Sequence, residues 1–268
     1  MTPPPPVPPA VDGVPPSARL RVATYNIHKG VRGIGPRKRL EIHNLRQGVE
    51  SLGADLVFLQ EVRHFNHREA RRFGRTQLGW PEQSQADFLA PDGYEVAYRT
   101  NAVTTGGEHG NALLSRWQIG DIGHHDVSDH RFEQRGLLHV PVQWNGVPLH
   151  TIVVHLGLIH ASRVRQVQRL AHFVKTEVPP EDMLVVAGDF NDWGEKLDTP
   201  MHEIGLARAL GEGPRAVRRS TFPSRVPVFA LDRIYTRVLA CHSTFVPRGA
   251  AWARMSDHLP LVAEFEWP

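Results

Sequence analysis

The chain has 268 residues, 41% of them hydrophobic, which is enough for one large domain with a substantial core or for two small ones. No apolar run approaches the ~20 residues that span a bilayer, so no transmembrane segment is expected. The N-terminus has no basic-then-apolar signal pattern, which predicts a cytoplasmic location. The formal net charge of +3 permits nucleic acid or anionic lipid as a partner without selecting either.

The first 18 residues differ from the rest because prolines dominate them. Proline lacks a backbone N–H, so residues 1–18 are predicted to form a disordered or polyproline II tail. We interpret this tail as a spacer, with a docking peptide as the alternative. Residues 19–268 contain no internal repeat and no linker and are predicted to form one domain. Cys241 is the only cysteine, so no internal disulfide can form, as suits a reducing cytoplasm.

After the tail, the first elements predict a strand, a helix and a second strand. Arg21–Tyr25 is expected to be a strand, Gly30–Pro36 a loop and Arg37–Leu52 a helix that Gly53 ends. Leu56–Leu59 is short and wholly apolar, as in a strand that is covered on both faces. This order predicts a βαβ-like start. The expected apolar face of the helix consists of Ile42, Leu45, Val49 and Leu52.

The middle and the end of the chain predict further strands and one more helix. Asn145-Gly146 is a strong hairpin sequence because both residues tolerate positive φ. Ser162–Val174 has apolar residues at helical spacing. Helices interleaved with hairpins predict mixed sheets. The expected strands are Tyr94–Tyr98, Ala112–Leu114, Gly136–Gln143, Val147–Val154, Met183–Ala187, Val228–Tyr235 and Leu259–Glu266.

Polar side chains adjoin the ends of five predicted strands. Strand ends are where α/β sheets build their sites, and five separate segments with the same pattern favour one common site. Asp257 and His258 precede the last strand, so an antiparallel strand would bring them to the same edge. The polar residues after the other strands are Asn26, Glu61, His155, Asp189 and Asn191.

Each of these residues alone has an ordinary structural explanation. Glu61 offers the hard oxygen that Mg²⁺ or Mn²⁺ prefers, but an acid after a strand is also commonly solvated. Asn26 alone would more often cap a turn, and His155 alone is more often a structural histidine. Asp189 and Asn191 are equally compatible with an Asx turn followed by a helix cap.

The pair Asp257-His258 is more specific, because an imidazole beside an acid at a strand start is suited to general-base catalysis. Asp232 lies in the apolar run Leu231–Tyr235, and a buried acid needs a partner. A histidine that must be oriented is one such partner. The residues thus favour metal-assisted attack of water on a phosphate ester.

Taken together, seven motifs in order resemble the endonuclease/exonuclease/phosphatase superfamily, over roughly residues 20–267. Known members include DNase I-like nucleases, abasic-site endonucleases, neutral sphingomyelinases and inositol-polyphosphate 5-phosphatases, and the chain is similar to uncharacterised bacterial members. The motifs are Thr24-Tyr25-Asn26, Gln60-Glu61, Asn111-Ala112-Leu113-Leu114-Ser115-Arg116, His155-Leu156, Gly188-Asp189-Phe190-Asn191, Leu231-Asp232-Arg233-Ile234-Tyr235 and Ser256-Asp257-His258.

This resemblance implies a four-layer α/β sandwich with two mixed β-sheets flanked by helices, and Mg²⁺- or Mn²⁺-dependent hydrolysis of a phosphate ester. It implies that the metal is held by Asn26 and Glu61, with Asp257 close to it. It also implies that Asp189 orients or activates water and that Asn191 and His155 bind the phosphoryl oxygens. His258, oriented by Asp232, would be the general base or a charged phosphate partner, and the resemblance leaves that choice open.

The substrate is less defined than the chemistry. We predict a phosphodiesterase acting on nucleic acid or on a phospholipid headgroup, with a phosphomonoesterase or a non-catalytic scaffold of the same fold as alternatives. Arg163 and Arg165 are candidates to bind a substrate phosphate, although surface arginines are equally common there. The loop Gly106–Gly110 is expected to flank the site and to move, and no protein partner is predicted. His124, His125 and His130 lack regular spacing and are interpreted as surface histidines.

Overall fold

The computed structural model describes residues 19–74, 78–104, 106–130 and 133–267, so the proline-rich tail lies outside the described residues. None of the helices in these ranges is long and apolar enough to cross a membrane. The strands are β1 (Arg19–Asn26), β2 (Val31–Arg32), β3 (Arg39–Leu40), β4 (Leu56–Val62), β5 (Glu95–Thr104), β6 (Gly107–Ser115), β7 (Gly123–Asp126), β8 (Gly136–Trp144), β9 (Val147–His155), β10 (Met183–Asp189), β11 (Ala207–Arg208), β12 (Asp232–Arg237), β13 (Ala240–Phe245) and β14 (Leu261–Glu266). The α-helices are α1 (Ile42–Ser51), α2 (His67–Phe73), α3 (Gln85–Leu89), α4 (His160–Glu177), α5 (Asp198–Glu203) and α6 (Trp252–Met255).

Two mixed six-stranded sheets form the centre of the fold. The first sheet has the order β13-β14-β1-β4-β6-β5, and the second has the order β11-β12-β10-β9-β8-β7. In each sheet one central pair is parallel, β1 with β4 and β9 with β10, and the other pairs are antiparallel. The parallel pair β1–β4 is joined through α1, which confirms the predicted βαβ-like start.

Each sheet has buried apolar side chains on both faces, one face against the other sheet and the other face against helices. Along β1, Leu20 and Val22 enter the core between the sheets, whereas Ala23 and Tyr25 face the outer core beneath α1. The second sheet packs its outer face on α4, where Leu170 contributes to the buried cluster. The result is helices, sheet, sheet and helices, which confirms the predicted four-layer α/β sandwich.

The first helix is shorter than its predicted range. Gly35–Arg37 forms a short 3₁₀ turn, and β3 pairs with β2 before α1 begins. The backbone N–H of Glu41 donates to the Gly30 carbonyl at 2.9 Å, so the chain is tied to this hairpin until the residue before the helix. The helix therefore begins at Ile42 and not at Arg37, while its buried face and its end before Gly53 are as predicted.

Local sequence predicted one hairpin correctly and the start of one strand incorrectly. Asn145 and Gly146 have φ of 51° and 77°, which confirms the hairpin between β8 and β9. The predicted strand Val228–Tyr235 is wrong in its first half, and β12 begins only at Asp232. Phe229 instead donates its N–H to the Phe222 carbonyl at 2.8 Å, so this segment folds back on itself as a small loop.

Because of the strand directions, the polar residues at the strand ends lie along one edge of each sheet. Strands β1 and β4 end side by side, with Asn26 opposite Gln60. In the second sheet Asp189, at the end of β10, lies opposite both His155 of β9 and Asp232 of β12. Because β12 is antiparallel to β10, its first residue meets the last residue of β10. Strand β14 is likewise antiparallel to β1, so the residues before it reach the end of β1.

Gly188 permits this register immediately before Asp189. A Cβ at Gly188 would lie 1.8 Å from the backbone oxygen of Val154, whereas at Gly194 its nearest neighbour would be the Lys196 side chain at 3.5 Å. We expect Gly188→Ala to lower the free energy of unfolding by about 1–3 kcal/mol or more, because β9 and β10 must separate. Urea unfolding measures this, with Gly194→Ala as the matched control. Equal stability of the two variants would contradict the proposed close approach.

Candidate active site

The carboxylate of Asp189 is the centre of the polar cluster at this edge. Its Oδ2 accepts a hydrogen bond from Nδ2 of Asn26 at 3.1 Å, which joins the first sheet to the second. Its Oδ1 accepts from the backbone N–H of Asn191 at 2.9 Å. Nε2 of His155 and Nε2 of His258 lie 3.6 and 3.7 Å from Oδ2. Four chain segments thus meet at one buried carboxylate.

His258 lies between two buried carboxylates. Its Nδ1 is 2.8 Å from Oδ2 of Asp232, which also accepts the hydroxyl hydrogen bond of Thr221, while its Nε2 faces Asp189. Burial alone would lower the pKa of His258, but the negative charges of Asp232 and Asp189 raise it to about 10. The imidazole is therefore positively charged at neutral pH, with its orientation fixed by Asp232.

The environment of Asp189 and His155 shifts both pKa values in the direction that disfavours the charged form. Burial, together with the charge of Asp232, raises the pKa of Asp189 to about 6. Burial lowers the pKa of His155 well below its usual range, and the nearby charge of Arg135 adds to this. His155 is therefore a neutral imidazole. Asp189 is a carboxylate whose pKa of about 6 is close to neutral pH.

Glu61 and Asn26 stand at the first-sheet side of Asp189. The pairing of β4 with β6 shifts register between Leu59 and Val62, and Glu61 adopts φ of 57°, so this bulge turns the carboxylate toward the cluster. Lys29 Nζ lies 2.9 Å from Glu61 Oε2. Burial opposes the ionisation of Glu61, but the charge of Lys29 holds its pKa below the ordinary value.

Asp257 is paired with a histidine from the turn after β1. Nδ1 of His28 lies 3.2 Å from Oδ2 of Asp257. Burial opposes the ionisation of Asp257, whereas the hydrogen bond from His28 and the charge of His258 hold its pKa below the usual value. The two carboxylates predicted to lie at the metal, Glu61 and Asp257, thus each contact one residue of the same turn.

The oxygen donors at this position fit a hard divalent cation. Glu61 Oε2 is buried, and the Lys29 ammonium 2.9 Å from it balances its charge. Asn26 Oδ1 accepts from the His28 N–H at 3.0 Å and retains a second lone pair. Across the described ranges no three His, Cys, Asp or Glu side chains gather as a metal site would require. A divalent ion here would therefore need the Asn26 amide beside the carboxylates.

The remaining predicted residues occupy defined but different positions. Asn191 has φ of 49° and donates from Nδ2 to the Leu156 carbonyl at 2.9 Å, which joins the turn after β10 to that after β9. Arg163 is buried and donates to the carbonyls of Gly157 and Leu158. Arg165 forms two hydrogen bonds with Asp129. These arginines are thus already paired within the chain, and a substrate contact by either stays a prediction.

Four residues at the cluster were not assigned a role from sequence. They are His28 and Lys29, which pair with the acids, Thr221, which donates to Asp232, and Ser256, which donates to the Asn26 carbonyl at 2.7 Å. The two basic residues follow Asn26 after one intervening residue, in a turn that ends at Gly30, and that spacing is the pattern that could have identified them.

Comparisons with known proteins identify the class. Residues 23–258 match the Endonuclease/Exonuclease/phosphatase family. Over 258 residues the chain is 37% identical to the uncharacterized protein YbhP of Escherichia coli strain K12, covering 91% of this chain and 95% of that protein. An uncharacterized protein of the same name from Shigella flexneri gives the same values.

Solved structures show the same fold. The endonuclease/exonuclease/phosphatase from Beutenbergia cavernae DSM 12333 has a TM-score of 0.70 and 19% identity, over 94% of this chain and 72% of that one. TDP2 of D. rerio complexed with a single-strand DNA product has a TM-score of 0.63 and 17% identity, over 93% of this chain and 100% of that one.

The chain therefore belongs to the endonuclease/exonuclease/phosphatase family, whose members are generally phosphoester hydrolases. Its relatives also have the DNase I-like fold that the two sheets display.

We expect Asp232→Asn to lower the pKa of His258 by roughly 1–3 pH units, because one neighbouring negative charge is removed. NMR titration of the imidazole measures this, with His258→Gln to assign the resonance and exposed Asp121→Asn as the control. In the wild type, the raised pKa contributes stability that is fully present below pH ~6.5. That contribution is lost as the pH rises through about 10. An unchanged pKa in Asp232→Asn would contradict the assignment.

Proposed function

We propose that the protein is a divalent-metal-dependent phosphodiesterase, with nucleic acid as the favoured substrate and a phospholipid headgroup as the second candidate. The observation that carries the proposal is the buried Asp189 carboxylate, which is held by Asn26 and the Asn191 N–H and faces two histidines. Titratable groups with strongly shifted pKa values cluster at functional sites, which supports the proposal. A cytoplasmic location stays a prediction.

Asp189 is the group we propose to accept the proton of the attacking water. A pKa of about 6 is near the working pH of an enzyme, which is where a general base is most effective. His258 is protonated at that pH, so it is proposed to donate from Nε2 to a phosphoryl oxygen and not to act as the base. Asp232 holds its ring in place through Nδ1.

Neutral His155 and Asn191 are proposed to donate hydrogen bonds to the phosphoryl oxygens as negative charge develops there. A donor placed in advance at such an oxygen is worth roughly 10²–10³ in rate. Asn26 and Glu61, with Asp257 nearby, are proposed to hold Mg²⁺ or Mn²⁺. When bound, the metal would neutralise the phosphate and lower the pKa of water.

Aromatic side chains beside His258 favour nucleic acid as the substrate. The Phe222 ring lies 4.8 Å from the His258 ring, and Trp193 packs edge-to-face on Phe222 and Phe229. Trp193 is 43% exposed. An exposed ring near the reacting phosphate offers a stacking surface for a nucleobase. The exposed side chains of Leu158 and Ile159 after β9 are the observation that keeps a lipid substrate as the second candidate.

We expect wild-type protein with Mg²⁺ to nick supercoiled plasmid or to cleave single-stranded DNA. Asp189→Ala and His258→Ala should each lose at least ~10²-fold in rate, because each removes a group that moves or donates a proton. The matched controls are Asp121→Ala and His202→Ala, at exposed positions. Circular dichroism establishes that the variants are folded. Turnover retained in both folded active-site variants would contradict the assignment.

Salt dependence separates the two substrate candidates. A nuclease that contacts several phosphates should lose affinity steeply as salt rises. If DNA stays intact while a phosphocholine or phosphoglycerol headgroup is released, the phospholipid candidate replaces nucleic acid. If neither diester is cleaved in the presence of Mg²⁺ or Mn²⁺ and only monoesters are, the enzyme is a phosphomonoesterase.

A further inference from the structure

The turn His28-Lys29-Gly30 holds an unusual backbone conformation beside the candidate site. His28, Lys29 and Gly30 have φ of 46°, 61° and 69° in succession. For a residue with a Cβ, this region costs of the order of 1–3 kcal/mol and persists only where the surroundings impose it. Backbone strain of this kind clusters at functional sites, so two consecutive strained non-glycine residues point to a functional role for the side chains of this turn.

The turn is fixed by hydrogen bonds from several segments. The His28 N–H donates to Asn26 Oδ1, and Gln85 Nε2 donates to the Lys29 carbonyl at 2.8 Å. The Gly30 carbonyl accepts from the Glu41 N–H, and a Cβ at Gly30 would lie 2.5 Å from Gln85 Nε2. The backbone is thus held in place, while the Lys29 side chain is 31% exposed.

The Lys29 ammonium lies against the predicted metal-ligand oxygen. Nζ is 2.9 Å from Glu61 Oε2, an atom that is buried. The positive charge of the ammonium balances the Glu61 carboxylate. A divalent ion bound to the same carboxylate would be repelled by that ammonium at short range.

We propose that Lys29 is a built-in cation that competes with the divalent metal for Glu61 and, once displaced, binds the substrate phosphate. This inference rests on the proposed function, because it requires Glu61 to be a metal ligand. The ammonium has three donors on a flexible four-carbon stem, so it can exchange a carboxylate for a phosphate without movement of the backbone. Lys29 is then a residue that couples metal loading to substrate binding.

Lys29→Met should bind Mn²⁺ roughly tenfold more tightly than wild type, because the competing charge at Glu61 is gone. Titration of protein with Mn²⁺, followed by electron paramagnetic resonance of the free ion, measures this without any turnover. Lys29→Arg retains the charge and should keep the wild-type affinity within about threefold. Lys38→Met is the matched control, because Lys38 pairs with Glu69 away from the site.

The coupling to Glu61 has its own test. Glu61→Gln should bind Mn²⁺ more weakly than wild type, and adding Lys29→Met to it should change the affinity little, because Lys29 then has no carboxylate to block. At saturating Mn²⁺, Lys29→Met should raise KM for the diester at least about fivefold, since a phosphate contact is lost. A merely structural role would instead weaken Mn²⁺ binding in Lys29→Met.

The outcomes separate this inference from the proposed function. Mn²⁺ binding by wild type with equal or weaker binding by Lys29→Met overturns the role of Lys29 and leaves the proposed function standing. Tighter binding by Lys29→Met, with no phosphoester cleaved by either protein, supports the competition at Glu61 and overturns the proposed function. If neither protein binds Mn²⁺, both are overturned.

Discussion

The His258 imidazolium between the carboxylates of Asp232 and Asp189 is the interaction on which the rest of the candidate site depends. Asp189 and Asp232 are paired residues on the neighbouring strands β10 and β12, and two buried negative charges on adjacent strands would repel each other. One positive ring between them makes the arrangement tolerable, and in return its own pKa rises to about 10. The positive charge that we propose for phosphate binding is therefore part of the same contact that permits the two acids to be buried.

Strand direction then determines which residues join this contact. Parallel pairing of β9 with β10 sets His155 beside Asp189, and antiparallel pairing of β14 with β1 returns the chain so that His258 enters from the opposite side. The Asn26 hydrogen bond to Asp189 joins the two sheets. A network of this kind links stability to activity, because each member is both a partner in burial and a proposed participant in the chemistry.

Much of this was predictable from sequence where the information is local. The apolar runs of β4 and β10 and the Asn145-Gly146 turn identified their elements directly, and polar residues next to strands identified the edge. The start of α1 and the first half of the Val228–Tyr235 range were wrong, since the pairing of β2 with β3 and of Phe229 with Phe222 overrode local propensity. The ion pair of Lys29 with Glu61 joins positions 32 residues apart and depends on a bulge and a strained turn. Hydrophobic periodicity predicts neither of these two backbone features.

Anomalous X-ray diffraction from crystals of the protein soaked in Mn²⁺ and a non-hydrolysable phosphodiester would locate both the metal and the phosphate. We expect one manganese peak bonded to Glu61 and the Asn26 amide oxygen, with the phosphoryl group contacting His155, Asn191 and His258. Manganese at any other position, or a diester bound away from Asp189 with that carboxylate and His258 still paired as they are here, would contradict this expectation.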